Sequence, residues 1–261
     1  MTIQALGLNG RTAIITGAAR GIGLAAATRL TEEGVNIVAF DQPGADFSDV
    51  QAAGSKNGTR IINFEGDVSN ASDWDRAVEV TVEAFGRVDI LFNNAGISGP
   101  IRNVINYPEE DFNRVIAVNV QGVFLGLQRV GRQMQQQKSG VIVNTSSISG
   151  FGGGGNVFAY TTSKFAVNGM TKSAAITLAP DGVRVLAIAP CPTETEMMFQ
   201  LERKISPDAP EDARPELAKG IPVGRYGKPD EIAAVFAFLV SDQASFMTGA
   251  IVPTDGGVLA K

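Results

Sequence analysis

Tyr160 and Lys164 stand four residues apart in YTTSK, at the start of a stretch with helical patterning. Residues i and i+4 of a helix share a face, with Cβ atoms about 5–6 Å apart. A lysine ammonium that close favours a phenolate over a phenol and draws the phenol down from its reference value of about 10. A tyrosine tuned toward neutrality works as a general acid or base. Surface neighbours share the same spacing, so the pair needs company. Ser147 lies thirteen residues before Tyr160, in a loop with Ser146 and Ser149. All three fit that stretch as plain loop serines.

A second candidate site begins at Thr16-Gly17-Ala18-Ala19-Arg20-Gly21-Ile22-Gly23, between a β-branched run and a helical pattern. Glycines let the backbone turn sharply and approach a pyrophosphate, and the following helix N-terminus offers free N–H groups to it. The spacing is G-x-x-x-G-x-G. A plain strand-to-helix turn would also use glycine, but the place in the first strand–helix unit favours a dinucleotide. Asp41 closes the next run, ~20 residues past the last glycine, where a carboxylate accepts a ribose 2′-hydroxyl. Its charge repels a 2′-phosphate, so NAD is expected over NADP, with Arg20 arguing mildly the other way. Asp67 and Val68 follow the third run and would bracket the adenine. A bound oxidised nicotinamide would add its positive charge to that of Lys164 in lowering the Tyr160 phenol.

The elements that must position these residues alternate along the chain. Candidate strands are 12–16, 35–40, 60–64, 88–92, 141–144, 183–188 and 250–252, near-continuous apolar runs of the kind buried on both faces. Candidate helices are 22–33, 73–85, 109–137, 157–178 and 230–240. The alternation predicts an α/β fold, a single-domain doubly wound, Rossmann-type parallel sheet of seven strands with helices on both faces, over residues 1–261. Such sheets bind ligands past the carboxyl ends of their strands. Two stretches break the pattern. Residues 151–156 (FGGGGN) hold four consecutive glycines, and 194–229 is a proline-rich insert, expected as a substrate lid or a disordered segment, with a short helix at 196–204.

Composition removes other chemistries. The 261 residues include no histidine and one cysteine, Cys191. A Ser-His-Asp triad, a His-ligated metal, a thiolate cluster and an internal disulfide are excluded, and no metal site is expected. A net charge of -5 leaves no basic excess for nucleic acid or an acidic membrane. The opening MTIQALGLNGRTAIITG lacks a basic segment leading into an apolar one, and no apolar run reaches the ~18 residues of a membrane span. A soluble cytoplasmic protein is expected.

Taken together, the motifs resemble the short-chain dehydrogenase/reductase family, in its subgroup of ~250-residue chains with TGxxxGxG and YxxxK motifs, the size of one α/β domain. They occur in order: TGAARGIG at 16–23, DV at 67–68, NNAG at 93–96, Asn119, NTSS at 144–147, YTTSK at 160–164, a P-x-x-x-x-T stretch at 190–195 and DGG at 255–257. The resemblance implies an NAD-dependent oxidoreductase that interconverts a secondary alcohol and its ketone. It implies that Tyr160 exchanges a proton with the substrate oxygen, that Ser147 orients that oxygen, and that Lys164 tunes Tyr160 and binds the nicotinamide ribose. Asn119 would position a water linking Lys164 to solvent. Asn94, Ala95 and Gly96 would line the adenosine-ribose side; Pro190, Thr193 and Thr195 would hold the carboxamide side. A homotetramer built on the fourth and fifth helices and the last strand is also implied. The chain departs from the family at Cys191, where glycine is usual, and at Leu186, where asparagine is usual.

The pocket walls are expected from residues after the strands and from the insert: Ile97, Ser98, Ile148, Phe151, Val157, Pro192, Met197, Met198 and Phe199. None is cationic, which favours a neutral, hydrophobic cyclic alcohol, alicyclic, terpenoid or steroid-like; the Met-Met-Phe cluster is equally compatible with ordinary core. Competing readings are an NADPH-dependent 3-oxoacyl-thioester reductase, a polyol or sugar dehydrogenase, and a dinucleotide-binding sensor without turnover.

Overall fold

The apolar runs pair in parallel because each carries Val, Ile, Leu or Ala on both faces and is covered by a helix on each side. The computed structural model describes residues 6–207 and 209–261; the first five residues of the opening stretch and residue 208 of the insert lie outside them. The strands are β1 (Thr12–Thr16), β2 (Asn36–Asp41), β3 (Ile61–Glu65), β4 (Ile90–Asn93), β5 (Gly140–Thr145), β6 (Val183–Pro190) and β7 (Ile251–Thr254). They form one sheet in the order β3-β2-β1-β4-β5-β6-β7. Alternate residues feed two separate cores. Ile15, Ile37, Phe92, Val143 and Ile188 face one side, and Ile14, Val38, Leu91, Ile142 and Val185 the other. This is the predicted doubly wound α/β sheet, with every strand within two residues of its expected bounds.

The helices are α1 (Gly21–Glu32), α2 (Ser48–Asn57), α3 (Ala71–Phe85), α4 (Glu109–Ile116), α5 (Gly122–Gln137), α6 (Phe158–Leu178), α7 (Glu196–Ile205), α8 (Pro210–Lys219) and α9 (Pro229–Val240). Helices α1 and α9 cover one core, whereas α3, α5 and α6 cover the other. After β3 the chain returns to the far side of β1 to form β4, so β1 and β4 flank the topological switch point. Thr16 stitches the two strand ends together. Its Oγ1 donates to the Phe92 carbonyl at 3.2 Å and accepts from the Asn94 and Ala95 N–H groups at 2.9 and 3.0 Å.

Three departures from the sequence expectation have local causes. Helix α2 was not expected, because SDVQAAGSKN is mostly polar; it packs through Val50, Ala53 and Gly54, and a Cβ on Gly54 would lie 2.3 Å from Ile61. The expected helix 109–137 is divided by a π-helical turn, Ala117–Gln121. The insert is neither wholly irregular nor a single short helix. Helices α7 and α8 pack together over a third, small core of Cys191, Met198, Ile221 and Tyr226. The prolines that suggested a loop are absorbed at the first turn of α8, where no N–H partner is needed, and at Pro215.

Candidate active site

The carboxyl ends of β1 to β6 and the first turns of α1 and α6 gather around the switch point. Past β1, Gly17 and Gly21 adopt left-handed backbone conformations (φ 65° and 57°). Gly23 faces the loop so closely that a Cβ there would lie 2.0 Å from the Gly17 carbonyl oxygen. Ile22, beside it, packs on the α1 side of the core. Arg20 precedes α1 in extended conformation and contributes no side-chain cap, so the first-turn N–H groups of α1 face outward for an anion. The tight glycine turn, the uncapped helix start and the neighbouring carboxylate fit a dinucleotide. Gly17, Arg20, Gly21, Ile22 and Gly23 would hold its pyrophosphate. Asp41 ends β2 against this loop, its Oδ2 accepting from the Ala19 N–H at 2.9 Å and its Oδ1 from the Gln42 N–H at 2.8 Å.

The residues expected to flank the adenosine lie between the ends of β3 and β4. Asp67 is exposed, with Oδ1 accepting from the Ser69 N–H and hydroxyl at 2.8 and 2.7 Å. Val68 is buried against Gly122 of α5, and its carbonyl accepts from Trp74 Nε1 at 2.8 Å. Asn94 donates Nδ2 to the Thr16 and Gly17 carbonyls at 3.0 and 3.4 Å, which ties the glycine loop to β4. Ala95 continues from Asn94, and Gly96 sits where a Cβ would be 3.3 Å from Asn119 Oδ1 and 3.8 Å from Lys164 Nζ.

Tyr160 and Lys164 open α6, which the wall of β5 holds in place. Tyr160, Lys164, Asn168 and Thr171 fall on one face of the helix at i, i+4, i+8 and i+11. Thr171 accepts from Asn144 Nδ2 at 3.0 Å, and Asn144 in turn accepts from Asn93 at 2.9 Å. Asn168 accepts from the Ser146 hydroxyl at 2.6 Å and donates to the Gly150 carbonyl at 2.9 Å. This buried network fixes the Ser147 loop against Tyr160. Sequence reasoning did not assign it a role; a polar stripe along a buried helix is the signal that would have found it. Ser147 is buried, accepts from the Ser149 N–H at 3.1 Å and lies beside the Tyr160 phenol.

Electrostatically the pair differs from the expectation. Burial pushes the Tyr160 phenol above its ordinary range, and the Ser147 hydroxyl pulls it partway back. Lys164 does not relieve it, because its ammonium donates to the Thr145 carbonyl at 2.7 Å and lies 5.3 Å from the centre of the Tyr160 ring. Burial lowers Lys164 itself to about 8. The expected downward shift of Tyr160 is therefore absent from the protein alone. Asn119 sits in the π turn, and its amide bridges Ile97 both ways: Oδ1 accepts from the N–H and Nδ2 donates to the carbonyl, each at 2.9 Å. Nδ2 also donates to Ser163 at 3.0 Å, and Ser163 donates to the Tyr160 carbonyl at 2.7 Å.

Past β6, Pro190 and Cys191 lead to Pro192, Thr193 and Thr195. Thr193 is buried and bridges Gly227. Thr195 caps α7, accepting from the Met198 N–H at 3.4 Å, and its methyl lies 3.4 Å from where a Gly21 Cβ would stand. The stretch expected to hold the carboxamide is thus adjacent to the glycine loop. Cys191 is buried and burial pushes its thiol up, which makes it a small core residue and a poor nucleophile. Among the wall residues, Met198 and Ile148 join the third core, whereas Phe151 and Met197 are exposed. Val157 forms a bridge with Arg102. The wall residues themselves carry no cation, but the fold brings Arg102 and Lys204 to the rim, Lys204 donating to the Gly99 carbonyl at 3.2 Å.

Comparison with known proteins extends this geometry. The family model described as Enoyl-(Acyl carrier protein) reductase matches residues 17–259. Levodione reductase of Leifsonia aquatica is 37% identical over 95% of this chain and 93% of its own. A crystal structure of levodione reductase superposes with a TM-score of 0.94, covering 97% of this chain and 98% of that one at 37% identity. Cis-4-hydroxycyclohexanecarboxylate dehydrogenase of Sinomonas cyclohexanicum is 38% identical over 96% of this chain and 97% of its own. The crystal structure of NAD+-bound xylitol dehydrogenase matches at a TM-score of 0.91 and 38% identity, over 96% of this chain and 99% of that one.

Proposed function

Because the chain belongs to the short-chain dehydrogenase/reductase family of oxidoreductases, we propose that it interconverts a cyclic secondary alcohol and its ketone with NAD. The observation that carries the reading is the grouping of Ser147, Tyr160 and a buried Lys164 at the strand ends next to the glycine loop. The dinucleotide, when bound, supplies the hydride acceptor or donor. Tyr160 takes the hydroxyl proton in oxidation and returns it to the ketone oxygen in reduction. Ser147 holds that oxygen by a second hydrogen bond, so the carbon faces one direction only. Lys164 reaches the nicotinamide ribose from beside the phenol ring, and Asn119 ties the Ile97 backbone to the Ser163 hydroxyl next to it.

The preference for NAD follows from Asp41, whose carboxylate faces the ribose end of the loop and repels a 2′-phosphate. Uncharged residues nearest Tyr160 suit a hydrophobic ring, and the relative that acts on a hydroxycyclohexanecarboxylate supports a cyclic substrate. Helices α7 and α8 act as the lid. Two other readings draw on particular findings: a 3-oxoacyl-thioester reductase on the description of the matching family model, and a polyol dehydrogenase on the NAD+-bound xylitol dehydrogenase. Among the described residues no helix is long and apolar enough to cross a membrane; a cytoplasmic location is part of the proposal, as is a homotetramer. Absorbance at 340 nm tests the reading, with NAD and NADP compared over cyclic, acyclic and polyol alcohols. Cyclic turnover with NAD is expected. NADP preference would promote the thioester reductase, and faster polyol oxidation would replace the ring. Absence of turnover on every alcohol and ketone, with NADH still bound, would favour a sensor.

A further inference from the structure

Beside the Tyr160 cleft stand two cations that have no carboxylate partner among the described residues. Lys204, in the last turn of α7, donates only to the Gly99 carbonyl, and the Arg102 guanidinium donates only to the Ile101 carbonyl, at 2.9 Å. The neighbouring charges of α7 are already paired, Arg203 with Glu196 and Glu202 with Arg214. The cleft walls add nothing to balance them. Arg102 is the only charged residue between 94 and 108, and none lies between 140 and 163.

Both cations are rooted close to the chemistry. Gly96 packs beside Lys164 and Gly99 receives Lys204, and three residues span at most about 10 Å. Arg102 pairs with Val157 across a parallel bridge, its N–H donating to the Asn156 carbonyl at 2.9 Å. Strand-type neighbours lie about 4.8 Å apart. From Val157 to Tyr160 is less than one helical turn, about 5 Å of rise. The rim beside Arg102 is bare. Gly152, Gly153 and Gly155 adopt no left-handed conformation, and a Cβ on any of them would meet nothing within 4 Å. Neither backbone strain nor packing calls for glycine there, and the gap leaves Arg102 open to a ligand in the cleft.

Resting on the cyclic-alcohol reading above, we propose that the substrate carries an anionic group, a carboxylate, on the side of the ring remote from the reacting carbon, and that Arg102 and Lys204 receive it. A wholly neutral substrate, which the apolar wall alone suggests, leaves both cations without a function. Low-dielectric walls strengthen their field inside the cleft. A charge-assisted hydrogen bond to each cation is worth about tenfold in affinity.

The test compares a cyclohexanol bearing a carboxylate opposite its hydroxyl with the methyl ester of the same compound, using NAD and the full chain. The parent is expected to favour the acid over the ester by about a hundredfold in kcat/KM, about tenfold for each cation, and less so as salt rises. Arg102→Ala and Lys204→Ala should each lower that ratio about tenfold through KM for the acid, the double variant more, with Arg102→Lys keeping part of it. A parent that takes the ester as well as the acid, or a double variant that keeps the preference, overturns the proposal. Turnover of other cyclic alcohols but of neither probe also overturns it and leaves the oxidoreductase reading standing. No NAD-linked turnover of any cyclic alcohol removes the reading and the inference together.

Discussion

A buried phenol is held protonated by its surroundings, and a buried ammonium is held ready to lose its proton. Tyr160 and Lys164 show these opposite tendencies one helical turn apart, the first raised and the second lowered to about 8. The phenol form is the proton donor for ketone reduction; the phenolate is the acceptor for alcohol oxidation. Since the raised value keeps the phenol form through neutral pH, oxidation should rise as pH climbs from 7 into the alkaline range, whereas reduction should hold near neutrality and fall there. Initial rates in both directions across pH measure this, and oxidation that slows as pH rises would contradict it. In Tyr160→Phe, kcat should drop ~10²–10⁴-fold while NADH binding, followed by fluorescence, persists. At this scale the spacing made the Tyr160–Lys164 pair legible, and the family resemblance added Ser147. Neither could reveal that the Lys164 ammonium turns to the Thr145 carbonyl, or that Asn144, Asn168 and Thr171 brace the loop, because those partners meet only in the folded chain.

Among the elements, the β1–α1 turn is the least tolerant. In Gly23→Ala a methyl would stand 2.0 Å from the Gly17 oxygen and 2.8 Å from Asn94 Nδ2, so the loop must move. Overpacking of this kind costs about 1–3 kcal/mol or more, and at about 2–4 °C per kcal/mol Tm should fall by roughly 5–10 °C, with weaker NADH binding. Gly153→Ala meets nothing and should leave Tm within about 1–2 °C. Thermal melts of the two variants side by side check the contrast; equal melts would remove the close-approach argument. The strands were readable because buried parallel strands write continuous apolar runs. Helix α2 was not, since only one side of it is covered, and neither was α8, whose prolines read as loop. The π turn escaped because an asparagine bonding across to Ile97 leaves no periodic trace in composition.

For the whole molecule, the two ends of the sheet differ in kind. The carboxyl ends gather the chemistry. The amino ends frame a cavity of about 880 Å³ edged by Arg11, Arg87 and Arg184. Arg184 spends its donors on the Leu239, Ser241 and Met247 carbonyls, clasping the chain between α9 and β7. The outer faces of α5 and α6 carry Phe124, Phe165 and Ile176, exposed at 47%, 49% and 79%. Apolar side chains so uncovered on adjacent helices suit the proposed homotetramer. Light scattering should return the mass of four chains; the mass of one would refute the assembly. The sequence pointed to this surface only through family resemblance, since helical patterning cannot separate a subunit interface from interior packing.

Helix α7 touches the glycine loop at Thr195 and the opposite wall at Lys204, about 15 Å apart along a helix of ten residues. One rigid element would therefore border both proposed ligands. Any substitution that tilts it to admit a bulkier alcohol also shifts the threonine at the other end, where the dinucleotide would lie. Breadth of substrate and grip on the coenzyme are consequently inherited together. A lineage diversifying its alcohols would have to vary the rim and the glycine run while leaving the axis of this helix in place.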